Sequence, residues 1–320
     1  MKRLNQLLLA CAMSASALAA AAQEAPPLKY VVGFPAGDVG DVLARLTAEK
    51  MRPLLHRSVV VENRPGAGGI LAAEAVKAAP PDGNVIMQAP LATMVTFPYT
   101  YDNLRYDPVK DYEPVALLAM FDLAIVVHAT NGPKSIAELA QAARSNPQLA
   151  NFASPAAGSL PHFFGLMFGK SVGAPLVHVA YRGDAPAKQA LLSGEVGMLV
   201  APVSAVLELE KSGRVRVLAT SGGKRSALLP TVPTLKETGV DVEGSAWLAL
   251  FAPAKTPRPI VDSLSRAALA AVNEPDLKKR LTDYGLEVMN VGPQGLADIM
   301  VRDQKRWAAV IKESGFKANP

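Results

Sequence analysis

The chemistry-bearing residues of this 320-residue chain gather at glycine-containing turns that lead into helices. Such turns suit anion capture, because the first N–H groups of a helix lack intrahelical partners and lie at the positive end of its dipole. One turn runs from Phe34 to Asp41 and includes Ala36, Gly37 and Asp38. A second runs from Ser154 to His162. There Ala156 and Gly158 allow close approach, Ser159 suits an N-cap, and Pro161 suits the first helical turn. Tyr181-Arg182-Gly183 offers a phenol and a guanidinium at a strand end, and Gln88, Ala89 and Thr93 follow another strand. Arg182 could pair with a carboxylate or brace the fold through Asp184 or Glu195. Asp38 has two readings, a helix cap or a charge that repels carboxylates and anchors a cationic or hydroxylated ligand. His162 reads as a packing residue more readily than as a contact.

Covalent and metal chemistry find little support. The histidines, His56, His128, His162 and His178, are scattered without metal-ligand spacing, and there is no GxSxG, P-loop or GxGxxG pattern. Cys11 is the only cysteine and lies in an N-terminal segment with Lys2, Arg3, an apolar run from Leu7 to Ala22 and an Ala-x-Ala site. Residues 1–22 therefore read as a secretory signal peptide cleaved before Gln23, which gives a periplasmic protein without disulfides. Loss of Lys2 and Arg3 lowers the formal charge from +5 to +3, with no basic block to suggest nucleic acid as a partner. A monomer needing no cofactor is expected, and no enzymatic activity.

The elements that must position these turns alternate strand and helix. Tyr30–Phe34, Val59–Val61, Val85–Ala89, Leu176–Ala180, Gly197–Ala201 and Val215–Ser221 read as strands. Helical spacing covers 42–55, 70–79, 136–145, 159–170, 186–192, 259–272, 275–284 and 293–313. Val115–Met120 and Leu123–His128 are separate apolar runs, with Phe121-Asp122 between them able to carry the chain from one lobe to another, and Trp247–Ala252 brings it back. The class is α/β. Val59–Gly83 reads VVVENRPGAGGILAAEAVKAAPPDG, a buried strand, a glycine turn and a helix; the turn at Arg64–Gly69 suits either an anion or tight packing.

That segment closely resembles the hallmark of the tripartite tricarboxylate transporter substrate-binding proteins, the Bug-type periplasmic receptors. ASPAAGSLPH at 153–162, HVAYRGDAPA at 178–187, RVRVLATSGGKRSALLPTVPTLKETG at 214–239 and Trp247–Pro257 are similar to further family segments, in the family's order. The resemblance implies a type II periplasmic binding fold with a central cleft. Its first lobe would be discontinuous, 23–122 and 247–320, and its second would be 123–246. It also implies that the first two turns hold a ligand carboxylate and that membrane permease subunits are the partners; a sensor adaptor or a periplasmic hydrolase are the alternative roles. The family's FPxGGxxDxxAR turn is matched by Phe34, Pro35, Gly37, Asp41, Ala44 and Arg45, but its second glycine is here Asp38.

Overall fold

The computed structural model describes residues 25–147 and 149–318, so the expected signal peptide lies outside the described residues. Ten strands form one continuous, sharply divided sheet. In its first part β1 (Leu28–Val32) lies between β2 (Val59–Asn63) and β3 (Val85–Pro90), parallel to both. Antiparallel to β3 is β9 (Ser245–Pro253), which also pairs with β4 (Tyr112–His128). The second part repeats this wiring. There β5 (Asn151–Ser154) lies between β6 (Val177–Ala180) and β7 (Met198–Pro202), parallel to both, and β7 runs antiparallel to β4.

β4 is the shared element. Tyr112–Asp122 pairs with β9, whereas Leu123–His128 pairs with β7 on one side and β8 (Val215–Thr220) on the other. The two apolar runs separated by Phe121-Asp122 are thus one strand. Asp122 does not break it, because its carboxylate accepts a 2.7 Å hydrogen bond from Ser245 Oγ on the neighbouring β9. β10 (Glu287–Val291) closes the first part against β4.

Helices cover these strands as their periodicity requires. α1 (Val39–Leu55) buries Leu43, Ala44, Thr47 and Met51 on one face. The short helices α2 (Ile70–Lys77) and α3 (Phe97–Thr100) follow β2 and β3. The second part carries α4 (Ile136–Ser145), α5 (Leu160–Ser171), α6 (Asp184–Ser193) and α7 (Val203–Lys211). Next come α8 (Arg258–Asn273), α9 (Pro275–Asp283) and α10 (Pro293–Ser314), the last burying Leu296, Met300, Asp303, Trp307 and Ile311 in one stripe. A core containing Phe152, Phe163, Trp247, Phe251 and Trp307 spans both parts of the sheet. Trp247 is fully buried, and its indole N–H donates to Asp303 at 2.9 Å. This satisfies the one polar atom of an otherwise apolar wedge.

Candidate ligand-binding site

The repeated wiring gives β1 and β5 the same place in their halves, and each leads through a glycine turn into a capped helix. Before α1, Gly37 has φ 87° and Asp38 is extended at φ −73°, ψ 161°. Before α5, Gly158 has φ 72° and Ser159 is extended at φ −75°, ψ 164°. Positive φ is why glycine precedes each cap. Asp38 Oδ1 accepts the Gly40 N–H at 2.7 Å, and Ser159 Oγ accepts the His162 N–H at 3.4 Å. Donors that could have received a ligand anion at α1 are therefore turned toward the protein's own carboxylate. Loss of solvent on its cleft side raises the pKa of Asp38, the Gly40 N–H lowers it, and the Asp41 charge raises it again.

Most other first-turn candidates lie behind this wall. Asp41 is 2% exposed and accepts from Gly37 N–H and Arg45 Nε at 2.9 Å and from Asn63 Nδ2 at 2.8 Å. Burial pushes its pKa up, but the Arg45, Gly37 and Asn63 hydrogen bonds outweigh that and hold it below the usual value. Asn63 also donates to the Phe34 carbonyl at 3.0 Å, so Asp41 and Asn63 together fix the turn from beneath. Gln88 is buried, donates to the Gly40 carbonyl at 2.8 Å and accepts from Tyr30 Oη at 2.9 Å. Ala89 is in the core, and Thr93 Oγ1 donates to the Gly68 carbonyl at 3.1 Å. The Arg64–Gly69 turn is likewise engaged in packing, with Gly68 and Gly69 close against Phe97, Thr93 and Phe34.

In the second turn, Ser154 is buried and its hydroxyl bonds the Ala156 carbonyl at 3.0 Å and His178 Nε2 at 2.7 Å. His178 stacks on His162 with centroids 3.7 Å apart and planes 16° apart, and Phe316 meets His162 edge-on at 4.8 Å. His162 Nδ1 accepts the Gly158 N–H at 3.1 Å. Burial, then the neighbouring His178, lowers the pKa of His162 to about 3, and burial lowers that of His178 to about 4. Both rings are neutral near pH 7, so the turn rests on an uncharged base. Tyr181 Oη donates to Glu195 at 2.7 Å; burial and then this bond push its pKa up to about 12. Arg182 is exposed, while Gly183, at φ 103°, donates its N–H to the Pro155 carbonyl at 2.8 Å. Among the described residues no ion pair joins Arg182 to Asp184 or Glu195, the two bracing partners the sequence allowed, and Glu195 accepts from Tyr181 instead.

Between the halves lies a cavity of about 640 Å3, within the usual range for small-molecule sites. Phe34, Gly37, Asp38 and Val39 line it from the first half, with Asp184, Lys188 and Ser204 facing them from the second. The Ser154–His162 turn and Tyr181–Gly183 are not among its walls, although Gly183 adjoins Asp184. Sequence reasoning did not place Asp184, Lys188 or the turn from β7 into α7 at a site. Asp184 carried a signal, since it starts a helix after a strand as Asp38 does, but only the approach of the two halves brings them to one cavity. Among the described residues, no three His, Cys, Asp or Glu side chains converge to hold a metal ion, and no helix is long and apolar enough to cross a membrane.

Two α/β lobes sharing crossing strands, with a cavity walled by a strand-end turn on each side, define a solute-binding protein. The chain belongs to the tripartite tricarboxylate transporter family receptors, whose model matches residues 43–316. A UPF0065 protein of Bordetella bronchiseptica is 35% identical over 295 residues, covering 92% of this chain and 87% of the relative. A Rhodopseudomonas palustris protein solved with adipate superposes with a TM-score of 0.82 at 29% identity, covering 92% of this chain and 99% of that one. MatC of R. palustris, solved with bound malate, has a TM-score of 0.78 at 32% identity, covering 89% and 99%.

Proposed function

We propose that this protein is a periplasmic receptor that captures a small carboxylate between its lobes and presents it to membrane permease subunits, making and breaking no bond. The observation that carries this reading is the cavity walled from both lobes in a chain of this family. Similarity to proteins solved with malate and adipate supports a carboxylate ligand, and the family's name supports the permease partner. The moving units are 23–122 with 247–320 against 123–246, hinged where β4 and β9 cross. Phe34, Ala36, Gly37, Asp38, Ser159 and the Tyr181–Gly183 corner meet ligand as the lobes close, while Asp41 and Gln88 hold the first turn in shape and Thr93 braces the Arg64–Gly69 turn. The two turns are held in shape by their own hydrogen bonds before a ligand arrives, so little ordering accompanies binding.

Thermal shift against malate, succinate, glutarate and adipate tests this. A ligand present at ~100 times its dissociation constant adds about 2.7 kcal/mol of apparent stability. Solution scattering should show a smaller radius of gyration with the same ligand. Absence of a shift with every carboxylate, or turnover of a bound one seen by mass spectrometry, contradicts the reading.

A further inference from the structure

The chain beyond α10 leaves the first lobe and lies against the ligand turn of the second. Gly315, at φ 65°, ends α10 and turns the chain, and Ser314 Oγ accepts the Phe316 N–H at 3.2 Å. The Phe316 ring then stands edge-on to His162 at 4.8 Å and to Phe163 at 5.7 Å. It also closes over Gly158, where a Cβ would come within 3.1 Å of Phe316 Cε1. One ring thus packs on both ends of the Gly158–His162 turn. Past it the chain returns to the first lobe, with the Ala318 N–H donating to the Thr100 carbonyl at 2.8 Å and Lys317 Nζ to Asp102 at 2.6 Å.

What the turn rests on gives this ring its weight. The Gly158 N–H donates to His162 Nδ1, which accepts only while the imidazole is neutral and held in that plane. His178 of β6 is the titratable group stacked on His162, Phe316 meets it edge-on, and Lys317 of the tail is paired with Asp102. Water is thereby kept from the ring. The helix that carries the tail is pinned where β4 and β9 cross by the hydrogen bond from Trp247 to Asp303, and near its end Glu313 pairs with Lys170 of α5 at 2.6 Å. The end of α10 therefore keeps its place against α5 as the lobes close.

We infer that Phe316 is a positioning residue for ligand capture: the C-terminal tail of the first lobe clasps the Gly158–Ser159 turn of the second and presets it for the ligand. Phe316 is not among the walls of the interlobe cavity, so it acts through the turn and not by touching the ligand. This inference rests on the carboxylate-receptor reading above and goes beyond it, because affinity then depends on a residue outside the cleft.

The test compares Phe316→Ala and Phe316→Leu by titration calorimetry with malate, succinate, glutarate and adipate, and by NMR on the ligand-free protein. Phe316→Ala should weaken the tightest carboxylate about tenfold, the size of one or two aromatic edge contacts. Phe316→Leu keeps apolar bulk over Gly158 and should restore most of that loss. In Phe316→Ala the Gly158 amide should exchange at least about tenfold faster, a larger rise than at core amides such as that of Ile125, which follow global stability. His162 should also titrate well above its value of about 3, as water reaches the ring. Unchanged affinity in Phe316→Ala, or an equal rise in exchange at Gly158 and Ile125, marks a purely structural ring and overturns the inference. If Phe316→Ala does not fold, Phe316→Leu decides, and unaltered affinity together with an unaltered Gly158 amide overturns it. If no carboxylate binds the unaltered protein, the receptor reading fails, and the amide and imidazole measurements still decide whether the tail sets the turn.

Discussion

The turns before α1 and α5 share a backbone and differ in charge. Gly37-Asp38 and Gly158-Ser159 have nearly the same dihedral angles at cap and preceding glycine, and each cap side chain accepts from its own helix. In the first lobe that acceptor is a carboxylate in a turn fixed from beneath by Asp41, whose charge opposes it; in the second it is a hydroxyl in a turn whose Gly158 N–H donates to a neutral imidazole stacked on another. The same fold device thus presents an occupied anion site on one side and a neutral one on the other. Local structure sets where a ligand can be held, and one side chain per turn sets what charge it can have.

The largest way to probe that difference is acid. Because His162 and His178 titrate near 3 and 4 in the folded protein but near 6.5 when unfolded, the unfolded chain takes up protons first as pH falls. Their effect is therefore absent above about pH 6.5, stability is lost between there and about pH 3, and the loss then levels off. At about 1.36 kcal/mol per unit the two depressions set an upper bound of about 8 kcal/mol for the pair, and solvent around the half-buried His178 brings the expected loss to several kcal/mol. Urea melts from pH 7 to pH 4 check this. Replacing His178 by Gln should flatten the slope, and an unchanged slope would remove the imidazole pair from the second turn's support.

Next in size is the brace under the first turn. Asp41→Ala leaves the Gly37 N–H, Arg45 and Asn63 without their shared acceptor and should cost about 2 to 3 kcal/mol, with ligand affinity falling at least about tenfold. Denaturant titration and calorimetry on one sample separate the two effects. A loss of stability with intact binding would show that the Phe34–Asp38 turn is not part of the site.

The smallest expected effects compare the caps directly. Ser159→Ala should cost about 1 kcal/mol by removing the α5 cap, whereas Asp38→Ser should leave stability nearly unchanged because serine caps as well. If Asp38→Ser destabilises the protein as much as Ser159→Ala does, the charge of Asp38 serves the fold and the contrast between the lobes loses its functional meaning.

Much of this was legible in the residues. Tyr30–Phe34 with a following glycine and Asp38, and Ala150–Ala153 followed by Gly158-Ser159-Leu160-Pro161, announce strand, turn and capped helix through local chemistry alone. Where the signal failed, long-range contact had decided the outcome. Glu287–Val291 alternates weakly and is only partly buried, so nothing local marks it as the strand that pairs with β4. Val203–Lys211 opens with a valine directly after β7 and hides its helix behind a strand-like start. The Asp122 carboxylate looked like a break and is satisfied by Ser245, more than a hundred positions away. At the site, Phe34, Gly37 and Asp38 were visible because their backbone demands are local. Asp184 and Lys188 reach the same cavity only through the packing of one lobe on the other.

A crystal structure of the protein with its tightest-binding solute tests the two-lobed capture most directly. The expected result is one molecule in the cleft, touching the Phe34–Gly40 turn and at least one of Ser159, Gly183 or Asp184 from the other lobe, with the lobes drawn together about the β4–β9 crossing. A solute held by one lobe alone, or seated instead in the groove of about 560 Å3 beside Leu166, Lys170, Val310 and Glu313, would contradict it.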